Sequence, residues 1–230
     1  MIALLLLVLV IASGGMFMCR LGALSMLGFE ENREKHLELE NKLREAQGYV
    51  VAKFIKNSYP GNKKVLLISD AANSAFNLAL LEQLRDSGVG ALVQENLTLP
   101  DAAADKLITP AVDRAAEARA IEDAIAKHPD AGVVIVSGIS PSGESLGRLS
   151  IYRKPVNARP KLIILGVSNL VEWFADQIEN GIFAAMVVTD LTKSFDSGTE
   201  TVPENPLEAF NMRYVLINKD NLERNRRFFR

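Results

Sequence analysis

The sequence predicts an α/β protein with a three-layer, doubly wound and mostly parallel sheet of about six strands. After residue 61, short apolar runs rich in β-branched residues alternate with longer runs of helical period. The short runs are apolar throughout, which is typical of strands that helices cover on both faces. We therefore divide the chain into a transmembrane anchor at residues 1–28, a charged stalk helix at 29–60 and the α/β domain at 61–230.

The elements of this domain follow from where each pattern starts and stops. The predicted strands are residues 65–69, 91–95, 133–137, 162–165, 184–188 and 214–217. The predicted helices are residues 74–87, 111–127, 143–149 and 170–180. The stretch 191–211 has little periodicity and predicts an irregular loop of about 20 residues, a length that favours a contact surface or a lid.

Residues 2–18 carry no charge and predict a membrane-insertion segment. As a helix they span about 25 Å, slightly less than a hydrocarbon core of about 30 Å, and the apolar character resumes after Arg20. We favour a retained single-pass anchor in contact with membrane lipid. A cleaved signal peptide, suggested by the small residues 12–15, and a lipoprotein signal, suggested by Cys19, are the alternatives.

Residues 29–56 have the pattern of a long, highly charged helix. A seam of period 3.5 runs along it, formed by Phe29, Asn32, His36, Leu39, Leu43, Ala46 and Val50. On the charged face, Glu38–Lys42 and Glu40–Arg44 are predicted ion pairs at spacing i,i+4. The seam fits two arrangements equally, a stalk packed on its own domain and a coiled coil with another chain.

Composition and missing motifs exclude several functions. A net charge of −2 gives no basis for binding nucleic acid, which needs clustered positive charge. One cysteine and two distant histidines, His36 and His128, do not make a zinc site of the usual kind. The chain also lacks the P-loop, the dinucleotide-binding glycine motif and the nucleophile elbow. We therefore expect no cofactor, no metal and no enzymatic activity.

Polar residues follow the predicted strands at the edge where parallel sheets bind ligands. The loop at 137–145 combines glycines, serine hydroxyls and a helix start, which together suit an anion; a loop closed by a serine cap is its simpler explanation. Asp70 and Asp190, which follow two of the predicted strands, could together hold a divalent cation, although helix capping explains each aspartate alone. The candidate ligand-binding residues are Asp70, Asn73, Ser137, Ser140, Ser142, Ser145, Asn169 and Asp190.

Three stretches of the domain resemble one lobe of a type I periplasmic binding protein of the sugar-binding kind. They are KVLLISD at residues 64–70, the helix, His-Pro-Asp turn and strand at 120–136, and YVLINKDN at 214–221. The resemblance implies an exported domain and a small ligand held between two lobes. The chain has length for only one lobe, which disfavours ligand capture within one chain and favours an interaction role.

Two features disagree about the side of the membrane that holds the domain. The basic residues Arg20, Arg33 and Lys35 after the apolar segment place the domain in the cytoplasm by the positive-inside rule. The resemblance places it on the periplasmic or extracytoplasmic side. We favour export, because a charge rule applied to a one-residue tail is the poorer guide.

These observations predict a membrane-anchored, non-enzymatic protein that assembles with a protein partner or with copies of itself. The anchor, the seam and the missing catalytic motifs support this function. The alternative is a subunit that binds or senses a small molecule, such as a sugar or a phosphorylated metabolite, through Asp70, Ser140, Ser142, Asn169 and Asp190. A hydrolase that uses Ser140 is a third and weaker hypothesis.

Overall fold

A computed structural model of the chain describes residues 29–61, 64–69, 74–85, 91–97, 114–137, 143–155, 158–166, 172–193 and 201–229. The helices in these ranges are α1 Phe29–Ser58, α2 Ala75–Arg85, α3 Arg114–Lys127, α4 Gly143–Gly147, α5 Glu172–Glu179, α6 Pro206–Arg213 and α7 Leu222–Asn225. The strands are β1 Lys64–Ser69, β2 Leu92–Asn96, β3 Ala131–Ser137, β4 Lys161–Leu165, β5 Phe183–Thr189 and β6 Tyr214–Asn218.

The six strands form one sheet in the order β2-β1-β3-β4-β5-β6. Neighbours among β1 to β5 run parallel, and β6 runs antiparallel to β5. The central strands β1, β3 and β4 are buried along nearly their whole length, because helices cover both faces. The predicted α/β class, the six strands and the mostly parallel sheet are therefore confirmed.

Two helical layers enclose the sheet and give the predicted three-layer sandwich. On one face, α3, α4, α5 and α7 pack on the strands, with Ile121 and Phe174 in the same apolar cluster as Leu66. On the other face, α1, α2 and α6 pack on the strands, with Leu43 in the same cluster as Leu67. Burial of these two clusters is the main stabilising contribution to the fold.

Helix α1 belongs to the core of the α/β domain. Leu43, Ala46 and Val50 of the predicted seam are buried in one cluster with strand residues such as Leu67, whereas His36 is exposed. These seam residues thus adopt the first of the two predicted arrangements, a helix packed on its own domain. A coiled coil through the same residues would need a face that the sheet already covers.

The prediction of an irregular loop over residues 191–211 is wrong at its carboxyl end, where α6 begins at Pro206. The Asn205 side chain caps this helix, because its Oδ1 accepts a hydrogen bond from the Leu207 amide at 2.9 Å. Proline suits the first helical position, where an amide hydrogen has no partner inside the helix. The cap and the proline were readable in the sequence, but eight residues are too few for a helical period to show.

None of the helices in the described ranges is long and apolar enough to cross a membrane. The segment predicted to insert in the membrane, residues 2–18, lies outside those ranges.

Candidate functional site

A cavity of about 380 Å³ lies at the carboxyl ends of the parallel strands. It is lined by Glu40, Arg44, Gln47, Ser69, Ser74, Phe76, Ser137, Leu165, Gly166, Val187, Thr189, Arg213 and Tyr214, and we call it the edge cavity. Ligands of open parallel sheets bind at this edge, and small-molecule sites have volumes of about 300–1,000 Å³. The edge cavity therefore has the position and the size of a small-molecule site.

The parallel strands supply one wall of the edge cavity through their last residues. Ser69 ends β1, Ser137 ends β3 and Thr189 ends β5, so three hydroxyl groups reach the cavity from neighbouring parts of the sheet. After β4, Gly166 turns the chain with a φ of 78°, a backbone conformation that favours glycine. This wall offers hydrogen-bond donors and acceptors without charge.

Helix α1 supplies a second wall through Glu40, Arg44 and Gln47. Spacings of four and three residues place these side chains on one face of the helix. The next turns of the same helix are buried against the sheet, which fixes the position of this face. This contribution of α1 was not predicted, although the i, i+4, i+7 spacing of its polar residues is visible in the sequence.

The antiparallel strand β6 supplies Arg213 and Tyr214. Tyr214 pairs with Thr189, so the amino end of β6 lies beside the carboxyl end of β5. Arg213, the last residue of α6, is thereby brought to the same edge. Neither residue was predicted, because the carboxyl ends of parallel strands indicate only the residues that follow strands.

An ion pair spans the edge cavity from α1 to α6. The Arg213 guanidinium donates a hydrogen bond to the Glu40 carboxylate and lies 5.7 Å from the centre of the Tyr214 ring. Burial alone would lower the pKa of Arg213, but its hydrogen bond to Glu40 raises that pKa above the usual range. Burial raises the pKa of the Tyr214 phenol, whose side chain also hydrogen-bonds to Gln47.

The Glu40–Arg213 pair replaces one of the two ion pairs predicted within α1. The Lys42 ammonium and the Glu38 carboxylate are 3.1 Å apart, as predicted. Glu40 instead turns towards Arg213, and the exposed Arg44 makes no ion pair within the described residues. Among the described lining residues, two guanidinium groups and one carboxylate therefore border the edge cavity.

Asp190 is buried but does not line the edge cavity. Its Oδ1 accepts hydrogen bonds from the Thr192 amide at 3.1 Å and the Thr192 hydroxyl at 2.6 Å. Burial opposes ionisation of this carboxyl, but the Thr192 hydrogen bonds and the nearby Lys193 and Arg227 lower its pKa below the usual range. The carboxylate thus stabilises the turn after β5.

Ser145 is also buried away from the edge cavity. Its hydroxyl donates a hydrogen bond to the carboxylate of Glu117, which joins α4 to α3 on the opposite face of the sheet. Ser145 therefore has a structural role, because a buried carboxylate needs a hydrogen-bond donor.

Of the eight candidate ligand-binding residues, Ser137 lines the edge cavity, whereas Ser145 and Asp190 are buried elsewhere and make the structural hydrogen bonds described above. The other five, Asp70, Asn73, Ser140, Ser142 and Asn169, lie outside the described residues. Ligand binding by any of the eight stays a prediction. Among the described residues, no group of three or more histidine, cysteine, aspartate or glutamate side chains is placed to hold a metal ion.

His128 lies at the opposite edge of the sheet from Ser137. Its Nε2 is 2.8 Å from Glu95 Oε1, and its Nδ1 is 3.4 Å from the Nζ of Lys64, the first residue of β1. Ser137 ends β3, whereas His128 precedes the start of that strand. These two residues therefore cannot form a nucleophile–base pair, which needs hydrogen-bond contact.

Comparisons with known proteins give a consistent fold. No protein-family model matches the chain, and no curated protein matches it. Among solved structures, an arabinose-binding protein from Geobacillus stearothermophilus aligns with a TM-score of 0.52 and 14% identity, over 81% of this chain and 63% of that chain. A solute-binding protein of an ABC transporter from Agrobacterium vitis, bound with α-D-tagatopyranose, aligns with a TM-score of 0.52 and 12% identity.

The Agrobacterium vitis alignment covers 81% of this chain and 60% of that chain. A sugar-binding protein of an ABC transporter from Bacillus halodurans aligns with a TM-score of 0.51 and 11% identity, over 79% of this chain and 64% of that chain. The matched part is thus less than two thirds of each solved structure. The resemblance to a lobe of a periplasmic binding protein is confirmed for the fold, which this chain shares with sugar-binding proteins of ABC transporters.

Proposed function

We propose that the α/β domain binds a small polyhydroxylated molecule in the edge cavity. The observation that carries the proposal is the lining of this cavity, which combines the hydroxyl residues Ser69, Ser137 and Thr189 with the aromatic residues Phe76 and Tyr214. Hydroxyl groups exchange hydrogen bonds with a polyol, and aromatic rings supply apolar contact area. The sugars named for two of the similar structures, arabinose and tagatopyranose, support the same class of ligand.

One chain can make such a site because α1 takes part in it. Glu40, Arg44 and Gln47 stand across the edge cavity from the strand ends, where they enclose the ligand from a second side. Burial of a ligand between two walls is what raises its affinity above that of a flat surface. This geometry favours ligand binding, the alternative function predicted from the sequence, over a role in assembly alone.

Thermal unfolding of the full chain in mild detergent tests ligand binding. We expect arabinose, tagatose or another monosaccharide of a broad panel to raise Tm, because a ligand at about 100 times its Kd adds about 2.7 kcal/mol to the free energy of unfolding. Ser137→Phe, which fills the edge cavity, should remove the shift. Leu78→Ser, on the exposed face of α2, is the matched control and should keep it.

Two results would contradict the proposal. One is a panel of neutral and acidic monosaccharides and sugar phosphates in which no compound raises Tm. The other is a Tm shift that survives Ser137→Phe in a variant whose circular dichroism matches the parent chain, since the ligand would then bind elsewhere.

Assembly with a protein partner is a second candidate function, and a groove of about 490 Å³ between α1, α2 and residues 203–209 favours it. Leu78 lies in this groove with 56% of its surface exposed. Among the described residues of this groove, the carboxylates of Glu45, Glu82 and Glu204 outnumber the ammonium group of Lys42. A partner segment with apolar and basic side chains is complementary to this lining.

Cross-linking and size measurement of the full chain in mild detergent test the assembly function. We expect a complex larger than one chain that Leu78→Arg disrupts, because the new cation repels a basic segment. A strictly monomeric chain that captures no basic apolar partner would argue against it.

We also propose that residues 2–18 anchor the chain and that the domain lies on the extracytoplasmic side. The uncharged segment and the fold shared with solute-binding proteins support these two points. Protease added to spheroplasts should cleave the domain from the membrane fraction; cleavage only after the spheroplasts are lysed would contradict the assigned side.

A further inference from the structure

The edge cavity has an excess of positive charge among its described lining residues. Arg44 and Arg213 contribute two guanidinium groups, and Glu40 contributes the one carboxylate. Glu40 is hydrogen-bonded to Arg213, so the Arg44 charge has no opposite charge paired with it in the described part of the chain. A neutral polyol would leave this imbalance in place, whereas a monoanion would remove it.

From this lining we infer that the ligand of the edge cavity is a sugar-sized anion, with a carboxylate or phosphate held by Arg44 and Arg213. This inference rests on the proposed ligand binding and names its ligand class. Guanidinium groups match the geometry of carboxylate and phosphate oxygens and bind them with charge-assisted hydrogen bonds. Ser137 and Thr189, which also line the edge cavity, offer hydroxyl groups to the polyol part of the same molecule.

Glu40 acquires a defined role in this arrangement. Its carboxylate accepts a hydrogen bond from the Arg213 guanidinium, which is the interaction that a ligand carboxylate would make. The ligand anion and Glu40 therefore compete for one guanidinium group. Side chains of both partners are partly exposed, Arg213 by 32% and Glu40 by 40%, so the pair can open without moving the buried core.

Because Glu40 and the ligand anion compete for Arg213, replacing Glu40 should have an effect that replacing a purely structural residue would not have. Glu40→Gln removes the competing charge, so it should tighten the binding of D-glucuronate and of glucose 6-phosphate by about tenfold. The same change should leave the binding of neutral D-glucose within about twofold, because no charge on that sugar competes with Glu40.

Calorimetry on the full chain in mild detergent measures these affinities. We expect D-glucuronate or glucose 6-phosphate to bind at least about tenfold more tightly than D-glucose. Arg44→Gln and Arg213→Gln should each weaken the anion by about 10- to 100-fold and leave D-glucose nearly unchanged. Comparing the affinities of the two anions shows whether the site prefers a carboxylate or a phosphate. Arg44 has an exposed side chain, so Arg44→Gln keeps the test valid if Arg213→Gln fails to fold.

Lys35→Gln is the matched control, because it removes one positive charge from an exposed position of the same helix outside the edge cavity and outside the groove between α1 and α2. It should leave the affinity for both anions within about twofold. D-glucose binding as tightly as the anions, or anion affinities unchanged in Glu40→Gln and Arg44→Gln, would overturn the inference while leaving the proposed sugar binding intact. Absence of binding by every compound would overturn both.

Discussion

Leu43→Ala in the full chain should lower the free energy of unfolding by about 2–5 kcal/mol. Leu43 has no exposed surface and packs from α1 into the same cluster as Leu67 and Ile135 of the sheet. Removing its side chain loses the transfer free energy of three carbon atoms and leaves a cavity that a helix packed on a sheet closes only in part. Urea unfolding in mild detergent, followed by circular dichroism, measures the change.

The same substitution at Leu37 is the matched control for Leu43→Ala. Leu37 lies two turns earlier in α1 with 55% of its surface exposed, so Leu37→Ala should change the free energy of unfolding by less than about 0.5 kcal/mol. Equal effects of the two substitutions would show that α1 is not part of the folded domain.

Gly48→Ala should destabilise the chain by about 1–3 kcal/mol, even though alanine is the better helix former. A Cβ atom at Gly48 would lie 2.6 Å from the Phe76 carbonyl oxygen and 2.9 Å from the Ala79 Cβ. Because backbone atoms form part of this contact, α1 and α2 would have to move apart, and the clash outweighs a propensity gain of about 1 kcal/mol. Thermal unfolding should show a lower Tm.

Gly147→Ala is the control, because it replaces a helical glycine by alanine without a steric clash. Among the described residues, its Cβ atom would meet only the Trp173 ring, at an ordinary contact distance of 3.6 Å. Stability should therefore stay within about 0.5 kcal/mol of the parent chain or rise slightly. A Gly48→Ala chain as stable as the parent would mean that the crossing of α1 and α2 is looser than described.

The strands of the sheet were predictable from the sequence because each forms a continuous apolar run with sharp ends. Residues 133–137, for example, were predicted as a strand and form most of β3, Ala131–Ser137. The direction of β6 was not predictable, since its run YVLIN carries no mark of antiparallel pairing. Pairing direction depends on the path of the preceding chain, and the helix α6 that sets this path was missed.

The candidate site was predictable only where it follows parallel strands. Ser137 was found by that rule and lines the edge cavity. Glu40, Arg44 and Arg213 come from helices that are distant in sequence, and Glu40 and Arg213 are 173 positions apart. Local patterns hold no information on such a contact, because it arises only when α1 packs across the sheet.

The continuity of α1 has a mechanical consequence. The helix runs without a break from Phe29 to Ser58, and only its later turns are held in the core. About 21 Å of helix therefore extends from Leu43, the first of these buried residues, to Phe29, past the ion pair at Glu40. A tilt of about 10° at Leu43, within the normal scatter of helix packing angles, would displace Phe29 by about 4 Å. A small shift at Glu40, the residue that holds Arg213, is thus amplified severalfold at the amino end of the helix.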